Sequence, residues 1–501
     1  MRRLDEVLTD WEAVIGLEVH VELTELETKM FCDCRISHTD PPNTNVCPVC
    51  LGLPGALPVP NRRAIESIVV AGIALGCEIP RRSYFYRKHY FYPDMAKNFQ
   101  TTQGPVAFCM RGGLDLTVSG DGARECQDAD VDRRPDGSYV RRVRIQRIHM
   151  EEDAAKMVHV GGREGRISSA TESLLDYNRC GTPLIELVTE PDLRTPEEAR
   201  LFMERLRQTL LYLKISDCSL EGGSMRCDGN VSVRRRGDTS LGVKCELKNV
   251  NSLKSLHDAL AFEICRQTEV LEEGGAVRQE TRHFEVSSRS TRVMRVKETK
   301  DDYRMYPDPD ITPFELSDDF VRRCRQMVPE LPDEKAARYV AEFSVRPREA
   351  SLIAADPALA DLFEGAVAIE PALGQVEANV IVNLAPKEKG ATPAQVASLS
   401  RILASESITF AQARDLLDRV CGTDLDPEAE ARACGMCQVL DAGALAPIVD
   451  EVLGRCADQV RQYREGNVRV LGFFVGQCMR AAGGSGNPKL FAELLRSRLD
   501  G

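Results

Sequence analysis

Residues 15–23 read IGLEVHVEL, with apolar and polar positions in alternation. A period of two belongs to a half-buried strand rather than a helix. Leu17, Val19, Val21 and Leu23 then point one way, and Glu18, His20 and Glu22 the other. A strand face carrying two carboxylates and an imidazole either salts a solvent surface or builds a site.

Two later segments favour a site. In Arg147-Ile-His149-Met-Glu151-Glu152-Asp153, three consecutive carboxylates follow a histidine, a costly arrangement unless a cation joins them. In Pro183-Leu-Ile-Glu186-Leu-Val-Thr189, an apolar run that reads as a buried strand carries Glu186 at its centre, and a core carboxylate is rarely left unpaired. A metal is the economical common partner for His20, Glu152 and Glu186. Oxygen-rich ligation with a single histidine suits Mg²⁺ or Mn²⁺, usually beside phosphate oxygens. Three separate ion pairs would satisfy the same residues.

Cys32-Asp-Cys34 and Cys47-Pro-Val-Cys50 bring four thiols together on Gly/Pro-rich turns. Four sulfurs at short spacing match a closed tetrahedral zinc site with a structural role. An alternative uses His20-Val-Glu22 with Cys47 and Cys50 as the H-x-E and C-x-x-C of a zinc deaminase. In that case Cys32 and Cys34 would be unemployed, and the proline lies inside the cysteine pair instead of before it. A second pair, Cys434-Gly-Met-Cys437, has no evident partners and reads as packing.

At 501 residues, 28% charged and 43% hydrophobic, the chain has length for two to four domains and the balance of a folded soluble protein. It has no run long and apolar enough for a membrane span. Its first residues, MRRLDEVLTDWEAV, resemble neither a secretory signal nor a transit peptide. With that start, its 18 cysteines are expected to be mostly reduced, and the expected compartment is the cytoplasm. The net charge of −12 argues against wholesale nucleic-acid coating, yet residues 455–499 hold eight basic side chains against three acidic ones. There is no P-loop, no dinucleotide-binding glycine fingerprint and no G-x-S-x-G nucleophile elbow.

Residues 1–313 mix short alternating stretches with helical patterns at 61–76, 195–214 and 252–273. The expected class is α+β on a mostly antiparallel sheet. Three prolines in 306–313 mark a stiff crossing, beyond which the patterns are helical: 314–428 as a helical domain and 429–501 as a helical tail.

Together these segments resemble the family of aspartyl/glutamyl-tRNA amidotransferase B subunits. The blocks that carry the likeness include NTNVCPVCLGLPGALPVPN at 43–61, RKHYFYPDMAK at 87–97, QRIHMEEDAAK at 146–156 and LDYNRCGTPLIELVTEPD at 175–192. They continue with EGGSMRCDGNVSV at 221–233, KCELKNVNS at 244–252, DDYRMYPDPD at 301–310 and YREGNVRVLGFFVGQCMR at 463–480. The resemblance implies a glutamine-synthetase-like cradle domain followed by a helical domain and a tRNA-binding tail. It implies work beside two partners, an amidase-like glutaminase that frees ammonia from glutamine and a small third protein of the same complex.

The implied reaction uses ATP to phosphorylate the side-chain carboxylate of misacylated Glu-tRNA(Gln) or Asp-tRNA(Asn), after which ammonia displaces phosphate. By motif alignment the family's Mg²⁺ ligands fall on His20, Glu152 and Glu186, Glu18 joins them as a metal or ammonia residue, and Cys32, Cys34, Cys47 and Cys50 fall on a zinc cluster. Arg87, Lys88, Lys156 and Arg226 are candidate phosphate clamps, with ordinary salt bridging as the alternative. Ala155 stands where the family often has glycine, which would matter if that position needed a positive φ. A zinc-stabilised tRNA-binding scaffold without chemistry of its own is the alternative function.

Overall fold

The computed structural model describes residues 2–128, 131–161, 170–296, 303–437, 442–482 and 486–500. The chain forms two compact units, residues 1–331 and 332–501.

The first unit is built on eight strands: β1 (Trp11–Glu22), β2 (Cys109–Val118), β3 (Tyr139–Glu152), β4 (Pro183–Thr189), β5 (Met225–Arg235), β6 (Cys245–Val250), β7 (Glu280–Glu285) and β8 (Ser290–Val296). Their spatial order is β8-β7-β6-β5-β1-β4-β3-β2. Every neighbouring pair is antiparallel except β6 with β7. The mostly antiparallel α+β reading of the sequence holds, with β1 at the centre and starting four residues earlier than the alternation suggested.

One face of this sheet is covered by helices α1 (Leu4–Asp10), α2 (Arg62–Ala74), α3 (Pro196–Tyr212) and α4 (Leu253–Glu272). Ile15, Leu17, Val19 and Val21 share one core with Ile65 and Ile68 of α2, Leu206 and Leu210 of α3, and Leu256 and Leu260 of α4. The helices begin where local chemistry starts them. Asn61 accepts the Arg63 and Ala64 N–H groups, Thr195 and Glu198 form a reciprocal capping box, and Ser252 accepts from Ser255. Contact between α2 and β2 is close enough that a Cβ on Gly72 would overlap the Cys109 sulfur. Ala155 is not among the residues with positive φ, so that departure strains nothing.

Ten of the 18 cysteines are buried, as expected of reduced thiols acting as small hydrophobes. Residues 306–313 and the helix Asp318–Gln326 lie within the first unit.

The described residues of the second unit form helices, the first starting at Pro332 and the last ending at Leu499. Thr392 with Gln395 and Thr409 with Gln412 form capping boxes on successive helices. Within the tail expected to be helical, residues 442–464 form two helices, Ala442–Arg455 and Ala457–Arg464, because Cys456 leaves the helical region with ψ 46°. Leu445, Val449, Phe474, Phe491 and Leu495 form the core of the last helices. Among the described residues, no helix is long and apolar enough to cross a membrane.

Candidate active site

With one face of β1 fixed in the core, its polar face is set by alternation, and antiparallel register aligns it with its neighbours. Arg226 on β5 stands opposite His20, His20 opposite Glu186 on β4, and Glu186 opposite His149 on β3. The Nε2 atoms of His20 and His149 each lie 3.3 Å from Glu186 Oε2. Glu151, two residues along β3 from His149, brings its carboxyl to 3.8 Å from His20 and 3.9 Å from His149.

Burial works to raise the Glu186 carboxyl, but hydrogen bonds with His149 and His20 hold it well below the usual carboxylate range. Burial pushes Glu151 up, and the charge of Glu186 adds to that. Burial disfavours a charged His20, yet Glu186 and Glu151 outweigh it and raise its affinity for a proton. One ligand atom from each of His20, Glu151 and Glu186 lies within 4.8 Å of the others. One imidazole and two crowded carboxylates form a donor set that a hard divalent cation satisfies.

Glu152 is not part of this cluster. It follows Glu151 on the same strand, so alternation turns it to the other face. There it is 1% exposed, pairs with Lys97, and accepts the Thr101 N–H at 2.8 Å. The geometry therefore puts Glu151, which the sequence pattern alone did not single out, in the place expected of Glu152. The signal was available: counted in twos from His149, the period reaches Glu151.

Two cavities of about 470 and 560 Å³ open over the row and share His20, Lys88, Glu186, Asp228, Lys248 and Tyr303. Glu18 lines the larger and accepts the Asn230 side-chain N–H at 3.0 Å.

Residues 13–322 match the sequence model of the GatB/GatE catalytic domain, and residues 375–499 match that of the GatB domain. The chain belongs to the GatB family. It is 42% identical over 501 residues to the B subunit of the aspartyl/glutamyl-tRNA(Asn/Gln) amidotransferase of Geobacter sp. (strain M21), covering 98% of this chain and 100% of that protein. The same-named proteins of Anaeromyxobacter sp. (strain Fw109-5) and Moorella thermoacetica are 41% and 42% identical, covering 99% and 98% of this chain and 100% of each relative.

Of the candidate phosphate clamps in this GatB-family chain, the structure brings two to the cavities. Lys88 lines both, with its ammonium 4.9 Å from the Tyr303 ring centroid. Arg226 lines the smaller and pairs with Asp153 at 3.0 Å. Arg87 is occupied instead by Asp308 at 3.0 Å and Asp310 at 2.6 Å. Lys156 is exposed on a separate two-stranded ribbon, Lys156–Val160 with Glu172–Asp176. The cation missed from sequence is Lys248 on β6, 2.7 Å from Asp228 and 3.3 Å from Glu246. In KCELKNVNS it shares a strand face with Glu246, which period two could have shown.

The four N-terminal cysteines do converge: one sulfur from each of Cys32, Cys34, Cys47 and Cys50 lies within 4.8 Å of the others. Cys50 is drawn down to about 5 by its hydrogen bond with Cys32, with help from the Cys47 N–H and the Lys29 ammonium. Burial pushes Cys34 up to about 11, and Cys32 is raised by its hydrogen bond to Cys50 and by burial. Lys29 is fully buried and donates to the Asn45 and Tyr177 carbonyls at 2.8 and 3.1 Å. His20 stands in the other cluster, with Glu151 and Glu186, which removes the geometry the deaminase reading needs. Cys434 is exposed beside Arg419 and Glu430, so it is not packed in a core.

Proposed function

We propose that this chain is the kinase and transamidase component of an ATP-dependent amidotransferase acting on misacylated Glu-tRNA(Gln), Asp-tRNA(Asn) or both. The observation that carries this reading is the row His20–Glu186–His149 with Glu151, set under cavities bordered by Lys88 and Lys248. Family membership over the whole chain supports it, as does the shared name of the relatives. In its finer form the fold reading is a glutamine-synthetase-like cradle, with the helical second unit and its basic tail holding tRNA through phosphate contacts.

His20, Glu151 and Glu186 would hold Mg²⁺, which when bound screens phosphate oxygens and offsets charge developing on them. The aminoacyl carboxylate oxygen attacks the γ-phosphorus of ATP. A P–O bond forms there as the bond to the bridging oxygen breaks, and ADP leaves with that electron pair. Lys88 and Lys248 face the same space and hold the transferring group by charge. Ammonia then attacks the acyl carbon, the C–O bond to phosphate breaks, and phosphate departs. Glu18, two residues from His20 on the same strand face, takes the proton that nitrogen loses. The ammonia comes from an amidase-like glutaminase partner, held together with a small third protein in the cytoplasm. The cysteine cluster would hold a structural Zn²⁺, since four sulfurs leave no open position.

The test is ATP hydrolysis by the chain reconstituted with the glutaminase and the small third protein, with and without misacylated Glu-tRNA. Stimulation by the aminoacyl-tRNA that disappears in His20→Ala supports the assignment. Formation of a tRNA complex without stimulated hydrolysis would instead make the chain a binding scaffold.

A further inference from the structure

Residues 303–310 form a strap that runs antiparallel along the short strand Phe85–His89, with Tyr306 opposite Arg87 and Pro307 opposite Tyr86. At one end the Asp308 N–H donates to Phe85 at 2.8 Å, and Asp308 and Asp310 hold Arg87. At the other end the His89 N–H donates to Tyr303 at 2.9 Å. The His89 side chain closes that same end. Its ring is stacked on Tyr306, with centroids 5.1 Å apart and planes 25° from parallel, and its Nδ1 lies 3.3 Å from the Arg304 carbonyl oxygen. That oxygen only accepts, which puts the ring proton on Nδ1. Arg304 has φ +45°, a left-handed conformation that a side chain disfavours and that persists only where its surroundings impose it.

We propose that His89 is a positioning residue for phosphoryl transfer, latching the strap so that the Tyr303 ring holds the Lys88 ammonium at the cavities. The inference rests on the ATP-dependent reading above. Strand alternation turns Lys88 and His89 to opposite faces, and His89 is not among the described residues that line either cavity. Lys88 and Tyr303 line both, and the ammonium lies 4.9 Å from the ring centroid, within range of a cation–π contact. A lysine carries a point charge on a flexible stem, so its aim depends on what it rests against. His89 therefore acts on the reacting atoms only through Arg304, Tyr303 and Lys88.

The experiment measures tRNA-stimulated ATP hydrolysis by the reconstituted complex carrying His89→Phe, which keeps a ring on Tyr306 and loses the donor to Arg304. Its kcat should fall about tenfold, since a small misplacement of a group can cost up to about 100-fold. KM for aminoacyl-tRNA and the melting temperature should stay unchanged. His89→Asn, whose amide nitrogen takes the place of Nδ1, should recover most of the rate. Tyr303→Leu should give the same fall as His89→Phe, and combining the two should cost nothing more, because both act through one contact. Tyr303 is 36% exposed, so its variant tests the route even if His89→Phe folds poorly.

An unchanged kcat in folded His89→Phe, or in Tyr303→Leu, overturns the proposal. A loss that His89→Asn fails to recover, or one that adds to the loss from Tyr303→Leu, also overturns it, by making His89 a support of the fold alone. In each of these results the wild-type complex still hydrolyses ATP in response to aminoacyl-tRNA, so the amidotransferase reading stands. A wild-type complex without that response fails the reading itself, and the positioning role falls with it.

Discussion

Glu151 and Glu152 are adjacent in sequence and opposite in role, so exchanging each for glutamine separates the two assignments. Glu152→Gln removes the charge facing Lys97, whose side chain is 9% exposed. Breaking one side of a buried pair costs about 3–5 kcal/mol, because the remaining charge is left uncompensated. The lower end applies here, since glutamine can still accept the Thr101 N–H, so a loss of about 3 kcal/mol is expected. Adding Lys97→Met should recover much of it.

Glu151→Gln removes a carboxyl already raised by burial and by Glu186. It should leave the melting temperature level or slightly higher. Its effect appears in cation affinity: losing a ligand should weaken Mn²⁺ binding by more than about 100-fold, since even an outer partner of a ligand is worth about 10–100-fold. Thermal melts and Mn²⁺ titration followed by electron paramagnetic resonance read both quantities on both variants. If Glu152→Gln abolishes Mn²⁺ binding while Glu151→Gln retains it, the face assignment argued from strand alternation is refuted.

Glu377, fully buried in the first turn of Gly374–Leu384 with neither carboxyl oxygen hydrogen-bonded among the described residues, is raised to about 8 by burial and by Glu370. Folded-state protonation above the unfolded value means that this contribution is fully present below about pH 4.5 and lost as pH rises through 8. Glu377→Gln should therefore stabilise the protein by roughly 2–3 kcal/mol near pH 7 and flatten that part of its pH–stability curve, measured by urea unfolding. Lys248→Met leaves Asp228 and Glu246 without their cation and should lower kcat about 100-fold, with partial recovery in Lys248→Arg; an unchanged kcat would remove Lys248 from the site. Elemental analysis should find one zinc per chain, and chelation should release four additional thiols to a thiol reagent; no increase in reactive thiols would exclude the four-sulfur site.

Much of the fold was legible because its determinants are local. Alternation placed β1, and Asn61, Thr195 and Ser252 marked the helix starts to within a residue. His20, Glu186 and the four cysteines were legible as ligand types on strands and turns. What stayed hidden depends on partners distant in the chain. Arg87 looks free until Asp308 and Asp310 are brought to it, and Lys97 looks like a surface lysine until Glu152 meets it. The break at Cys456 comes two residues after Gly454, which itself stays inside the helix Ala442–Arg455, so the periodic pattern ran through it.

The cysteine loop and the acid row are far apart in sequence but share backbone. The excursion between β3 and β4 closes where the Asp153 N–H donates to Thr182 at 2.9 Å and the Gly181 N–H donates to Asp153 at 3.0 Å. Onto this closure the cysteine loop is stitched: the Met30 N–H donates to Gly181 at 2.8 Å, and Lys29 reaches Tyr177 on one side and Cys50 on the other. Gly181 has φ +87°, a conformation that favours glycine, and a Cβ there would lie 3.5 Å from Lys29 and 3.8 Å from Glu152. The end of β3 that carries Glu151 and the start of β4, three residues before Glu186, are thus braced from the face opposite those carboxyls. Like charges resist being held close, and a sheet whose hydrogen bonds already satisfy its backbone is rigid enough to hold them. A sulfur-bound metal at the loop would tie that brace down without taking any ligand from the row.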